Sequence, residues 1–212
     1  SGSQFNGIQR QVIKWAWDCE NERVSETFPK AKRRVWGYQV AEVDELISKA
    51  RSQYQNPELN LVSAASLRTL QFTMARGGYS VSAVDAAIDR LEEIFSDREI
   101  QSELQHLGEY SLRDRYEKLR HSLLERLDRP KRKRFKRAGL FLKGYHPKQV
   151  DSFCERIDRR LSSGGSLAVT DVRRVLFKAK RGGYAEGQVD AYLDKVVETL
   201  QVERNLPPHK AN

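Results

Sequence analysis

The stretch "ARGGYSVSAVDAAIDRL", residues 75–91, places a Gly-Tyr pair four residues ahead of a Val-Asp pair. The same phrase recurs across the chain: Gly37-Tyr38 with Val43-Asp44, Gly78-Tyr79 with Val84-Asp85, Gly144-Tyr145 with Val150-Asp151, and Gly183-Tyr184 with Val189-Asp190. One spacing met four times in 212 residues points to duplication. The tyrosines lie 41, 66 and 39 positions apart, a rhythm of pairs rather than of an even solenoid.

The flanks agree with pairing. Before the second and fourth phrases the chain reads "SLRTLQFTMARGGY" and "TDVRRVLFKAKRGGY", with Phe72 and Phe177 seven residues ahead of the tyrosine. Before the first and third it reads "FPKAKRRVWGY" and "FKRAGLFLKGY", with Phe28 and Phe135 ten ahead. The order is therefore A-B, then A-B again.

Each phrase reads as a turn feeding a helix. Glycine gives the backbone freedom for a bend, and the tyrosine then sits where it can lean on the first helical turn as a staple. Ser80 suits an N-cap and Pro147 a first helical residue. Apolar residues follow at helical spacing: Val43, Leu46, Ile47 and Ala50; Val84, Ala87, Ile88 and Leu91; Val150, Phe153, Cys154 and Ile157; Val189, Tyr192, Leu193 and Val196. Shorter helices are expected upstream, over residues 66–76 and 171–181. The aspartate beside each valine falls early in its helix, where its charge complements the dipole. It can also accept a hydrogen bond from the preceding turn.

The expected fold is all-α, with four helix–Gly turn–helix repeats arranged as two tandem A-B pairs and little or no strand. Residues 1–3 read as a tag remnant, and 4–95 as the first pair with an N-terminal extension. Residues 96–129 read as a charged helical connector interrupted near Gly108 and striped by Leu112, Tyr116, Leu119, Leu123 and Leu127. The second pair takes 130–204, and 205–212 form a tail. Residues 5–17 read either as a helix through Phe5, Ile8, Val12 and Trp15 or as a strand alternating through Ile13, Trp15 and Trp17. A packed start of the first half and an interfacial anchor are both open to them.

Composition excludes several classes. No run approaches eighteen apolar residues, so no bilayer-spanning helix is expected, and no secretory signal is visible. Two cysteines, Cys19 and Cys154, make no disulfide framework and read as reduced thiols of a cytosolic protein. His106, His121, His146 and His209 lack neighbours at ligand spacing, so no metal is expected and no cofactor is implied. The Gly-Gly pairs are followed by neither a dinucleotide fingerprint nor a P-loop. No base, nucleophile or metal ligand repeats with the four aspartates, and no enzyme is expected.

The Gly-Tyr-x4-Val-Asp phrase, taken with its upstream Phe, resembles the DivIVA family of bacterial cell-division and polar-growth proteins. "DVRRVLFKAKRGGYAEGQVDAYLDKV", residues 171–196, carries the likeness best, and the chain is similar in particular to actinobacterial proteins built of repeated short DivIVA domains. The family's usual Asp after the tyrosine is replaced by Gln39, Ser80, His146 and Ala185, and no long heptad pattern follows. The resemblance implies a non-enzymatic scaffold or adaptor on the cytoplasmic face of the membrane, at division or polar-growth sites, with division proteins as partners. The family's N-terminal domain dimerises; here A and B are expected to pair within one chain.

The charge fits an anionic partner: the chain carries a net +9. In the family, an apolar and a basic residue just before Gly-Tyr enter anionic membrane. The second and fourth phrases carry Arg76-Gly77 and Arg181-Gly182 there, without the wedge. The first and third keep Val35-Trp36 and Leu142-Lys143, beside Lys30, Lys32, Arg33 and Arg34 and beside Lys131, Arg132, Lys133, Arg134, Lys136 and Arg137. Near an anionic leaflet such runs supply roughly 4–6 kcal/mol each, and one inserted apolar side chain roughly 1.5–3 kcal/mol. The competing readings are that Trp36 is core with the charges as solvated surface, and that the same runs bind nucleic acid, with Trp36 or Phe135 stacking on bases.

Overall fold

The computed structural model describes residues 28–208 apart from Leu140. The readings of residues 1–3 and 5–17, of Cys19 and His209, and of the tail beyond Pro208 lie outside the described residues. The chain divides into two units, 1–96 and 97–212. It is mostly helical, with two small antiparallel sheets.

In the first unit, β1 (Trp36–Tyr38) leads into α1 (Val40–Gln55). A 3₁₀ turn (Pro57–Leu59), α2 (Ala64–Arg68) and β2 (Met74–Arg76) follow. Next comes α3 (Val81–Leu127), whose residues up to Ser96 belong to this unit. The two strands pair antiparallel, Trp36 opposite Arg76, Gly37 opposite Ala75 and Tyr38 opposite Met74. The apolar stripes of α1 and α3 meet above this ribbon. Val43, Tyr79, Val84 and Ala87 close around Phe28, while Ala50, Val62, Ala64, Leu67 and Phe95 form a second cluster at the far end of α1. Gln53 fastens the connecting loop, its side-chain amide bonding both backbone groups of Val62.

The second unit has the same order: β3 (Lys143–Tyr145), α4 (Pro147–Ser163), α5 (Val169–Arg173), β4 (Ala179–Arg181) and α6 (Glu186–Asn205). Lys143 pairs with Arg181, Gly144 with Lys180 and Tyr145 with Ala179. Pro147 opens α4 and Gly164, in the left-handed region at φ 70°, closes it. Val150, Phe153, Cys154, Ile157, Val189, Tyr192 and Val196 interlock in one core, which also takes Leu123 and Leu127.

Two expectations need correction. The upstream helices stop at Arg68 and Arg173, and residues 74–76 and 179–181 are strands. Three residues are too few to register a period-two pattern, and their conformation is set by a partner some forty positions away. Of the stretch 96–129 expected as a connector, all but Ser96 falls within the second unit. Gly108, at φ 83° and ψ 172°, breaks α3, and beyond it the helix doubles back. Arg115 consequently reaches Glu103 at 2.5 Å, whereas twelve positions along an unbroken helix span about 18 Å. Ile100 and Leu112 meet across this hairpin and pack on Val202 of α6. Arg204 and Asn205 hold Asp97, and Arg115 also pairs with Glu198.

Candidate functional site

The repeated phrase has a structural meaning that local reading missed. In each unit the two Gly-Tyr pairs cross one another. Tyr38 N–H donates to Tyr79 O at 3.0 Å and Tyr79 N–H to Tyr38 O at 2.8 Å. Tyr145 and Tyr184 exchange the same two bonds at 2.9 and 2.8 Å. A Cβ on Gly37, Gly78, Gly144 or Gly183 would fall within 3.0 Å of the other segment's backbone, a separation side chains do not tolerate. These four glycines therefore serve close approach of two backbones. The left-handed φ belongs to their neighbours Gly77 (67°) and Gly182 (60°), which turn the chain after each B strand.

The side chains repeat the exchange. The Tyr79 hydroxyl donates to Asp44 Oδ1 at 3.0 Å, and that of Tyr184 to Asp151 Oδ1 at 3.0 Å. In the other direction Tyr38 bonds Asp85 and Tyr145 bonds Asp190. Each tyrosine thus reaches the aspartate of the other segment, not the turn before its own helix. The phenylalanines do likewise: Phe28 packs edge-on to Tyr79 at 5.4 Å and Phe72 against Tyr38 at 5.1 Å, with Phe135–Tyr184 and Phe177–Tyr145 at 5.2 and 5.3 Å. Val43, Val84, Val150 and Val189 are buried beneath.

Burial and the neighbouring carboxylates push the Tyr145 and Tyr184 hydroxyls up to about 12. Partial burial also raises Asp85 and Asp190 from the ordinary aspartate value, against the opposing pull of the tyrosine hydrogen bonds. Cys154 is buried and its thiol is pushed up to about 12, which makes it inert packing. Among the described residues no group of His, Cys, Asp and Glu is placed to hold a metal ion, and no helix is long and apolar enough to cross a membrane.

The residues proposed to meet an anionic surface fall into two groups. Lys30, Lys32, Arg33 and Arg34 are exposed, as are Val35 and Trp36; Trp36 is 53% exposed, so it is not core. Its ring carries the Arg76 guanidinium at 5.5 Å. Lys32 to Val35 form a turn closed by a 2.7 Å backbone bond, and Gly77 N–H donates to Val35 O at 3.0 Å. This is an exposed tip in which an apolar pair adjoins a basic turn.

The basic run of the second unit is partly structural. Arg134 is only 7% exposed, and its guanidinium donates to Leu127 O and Asp151 O. It is a core residue and is not placed to meet a surface. Arg132, at φ 65°, turns its N–H onto Asp151 Oδ2 at 2.8 Å. Arg137 lies over the Tyr184 ring and donates to Gly182 O and Arg132 O. Lys131 pairs with Glu155 at 2.5 Å. Lys133, Lys136 and Lys143 are exposed, and Leu142 is 66% exposed. Sequence reading missed Phe141, which is 89% exposed. It lies outside the periodic stretches from which the sequence reading chose its residues.

Comparison with family models, with curated proteins and with solved structures finds no match to this chain.

Proposed function

We propose that this protein is a non-enzymatic adaptor of the DivIVA type, built of four copies of one repeat in two tandem A-B pairs. We place it on an anionic membrane face at cell-division or polar-growth sites. The reading of four copies is supported by the reciprocal Tyr-to-Asp bonds, which join two Gly-Tyr segments in each unit by the same contacts in both directions. Such reciprocity is what a two-fold dimer contact becomes when both partners lie on one chain. The B segments lack an apolar wedge before the glycine, so each pair presents one wedge, from its A segment.

The observation that carries the membrane reading is the exposed Val35-Trp36 pair beside the Lys32–Arg34 turn. Basic side chains near anionic headgroups contribute about 1 kcal/mol each, and an aromatic at the interface adds to this. Flotation of the full chain with vesicles of phosphatidylcholine alone, and with phosphatidylglycerol added, tests it beside a DNA mobility shift at the same salt. Capture by anionic vesicles alone, fading as salt rises, supports the reading. Equal affinity for DNA with no flotation replaces it with nucleic-acid binding. A fluorescent fusion spread evenly through a growing cell removes the division-site part.

A further inference from the structure

We propose that the second unit holds an acidic, extended segment of a partner protein along the open edge of β4, as a third strand of its ribbon. The surface belongs to the second unit alone and does not rest on the membrane contact of the first.

The edge follows from the register. Gly182 N–H donates to Leu142 O at 3.0 Å and His146 N–H to Lys178 O at 2.9 Å. Lys143 stands opposite Arg181, and Tyr145 opposite Ala179. Flanked by those bonds, both are non-hydrogen-bonded pairs, whose own N–H and C=O groups point away from the partner strand. On the β3 side Tyr184 takes both groups of Tyr145. On the β4 side those of Ala179 and Arg181 face outward, from a strand exposed along its whole length. Such an edge is a template for a further strand.

Charge selects the occupant. The first unit builds the same ribbon: Gln39 N–H donates to Thr73 O as His146 N–H does to Lys178 O. Thr73 N–H donates to Glu42 Oε2 at 2.8 Å, and Lys178 N–H to Gln149 Oε1 at 2.8 Å. These bonds and the strand registers match Glu42 with Gln149, Trp36 with Lys143, Thr73 with Lys178, Ala75 with Lys180 and Arg76 with Arg181. In the first unit Glu42 offsets Arg76; in the second, four cations share a frame whose carboxylate has become an amide. The ribbon forms either way, so the fold does not require Lys143, Lys178 and Lys180. All four cations are exposed, whereas Lys131 and Arg156 of the same unit are paired with Glu155 and Asp171. Alternation puts Lys143 and Arg181 on one face of the ribbon and Lys178 and Lys180 on the other. A strand laid along this edge therefore finds cations for carboxylates on both of its faces, and Leu176, 91% exposed, offers an apolar contact at one end. A phosphate surface answers the charge but has no N–H to give the outward carbonyls; an acidic peptide answers both.

The test follows fluorescence anisotropy of a labelled peptide of alternating glutamate and threonine on titration with the full chain. Saturable binding that weakens as salt rises is expected. Gln149→Glu/Lys178→Thr/Lys180→Ala writes the first unit's residues into the second, and is expected to weaken binding about 10- to 100-fold at low salt. Ala179→Pro keeps every cation and removes only an outward N–H, the place where an edge strand tolerates proline; it is expected to weaken binding by about tenfold or more. Unchanged thermal unfolding confirms the fold of each variant. The same peptide methylated on its central backbone nitrogens keeps its charge but cannot pair as a strand, so it tests the edge without altering the protein, and loss of its binding is expected. Equal binding of methylated and parent peptides overturns the proposal, as does a parent chain that binds neither. An oligothymidylate of equal charge that binds more tightly than the peptide, and is indifferent to Ala179→Pro, assigns the ribbon to nucleic acid and overturns it too. None of these substitutions touches the Val35-Trp36 tip, so failure here leaves the membrane reading standing.

Discussion

The Tyr79 hydroxyl donates to Asp44 Oδ1 at 3.0 Å across 35 positions of sequence. The bond joins the first half of one phrase to the second half of another, so Gly-Tyr-x4-Val-Asp works only when two segments meet. Removing the hydroxyl leaves a half-buried carboxylate short of one donor. Tyr79→Phe is expected to lower stability by about 1–2 kcal/mol in chemical unfolding. In a double-mutant cycle with Asp44→Ala, about 1 kcal/mol of that loss is expected as coupling; additive single effects would break the link between the two residues.

The glycines make a sharper case. At Gly37 and Gly144 a methyl group meets the opposing backbone, which cannot swing aside as a side chain does. Gly37→Ala and Gly144→Ala are each expected to cost more than about 3 kcal/mol, in the range of severe overpacking. Gly187, in the first turn of α6, has open space around its Cβ position. Gly187→Ala is expected to raise stability by about 0.5–1 kcal/mol, because the unfolded chain loses freedom and nothing clashes. Thermal unfolding of the three variants separates close approach from turn flexibility, since flexibility alone would make them similar.

The tyrosine–aspartate pairs also predict a pH dependence. Burial raises Asp190 above its ordinary 3.8, while the Tyr145 hydrogen bond pulls it back. A carboxyl raised on folding gives stability that is full below its unfolded value and lost as pH climbs through the folded one. Tyr145→Phe removes the restoring bond, so Asp190 rises further and its ionised form loses a hydrogen-bond donor. The stability gap between parent and variant is therefore expected to be small near pH 3 and to widen as Asp190 ionises, reaching its plateau by neutral pH. Carboxyl titration followed by NMR reads the upward move of Asp190 directly.

Arg134 tests how the basic run is divided. Its buried guanidinium satisfies Leu127 O and Asp151 O, joining the end of α3 to α4. Arg134→Ala is expected to cost about 3 kcal/mol or more, since it leaves buried acceptors unpaired beside a cavity. Lys133→Ala, one position earlier and exposed, is expected to change stability by less than about 0.5 kcal/mol. Equal effects at the two positions would return Arg134 to the surface.

What the sequence carried was the local part of the fold. The stripes through Val43, Val84, Val150 and Val189 are the buried faces, because a helix of that length writes its own periodicity. The strands at 36–38, 74–76, 143–145 and 179–181 leave no such record, since they exist only as pairs. The aspartates were read for their own helices, whereas their donors sit on the other segment. Arg134 is indistinguishable from Lys133 within a charge run until Asp151 is brought beside it. Phe141 lies outside every periodic stretch, so nothing in the sequence told whether it faced inward.

Gly108 decides whether residues 97–127 fold back or run on. Its φ of 83° lies where side chains are strained, and no atom stands within 4 Å of its Cβ position. The cost of substitution there is conformational, not steric. Gly108→Ala favours helical φ and with it an uninterrupted helix, which would separate Ile100 from Leu112 and break the Glu103–Arg115–Glu198 chain of ion pairs. The variant is expected to lose about 1–2 kcal/mol, the strain of one residue held at positive φ. Gly108→Asn is expected to lose as much, because at ψ 172° the backbone lies in the extended positive-φ region open essentially to glycine alone, outside the left-handed region that asparagine tolerates. Hydrogen exchange locates the effect: amides of residues 97–127 and of the last two turns of α6 should lose protection, while those of α1 should not. Uniform loss across the chain would mean that the hairpin is no separate element of the second unit's stability.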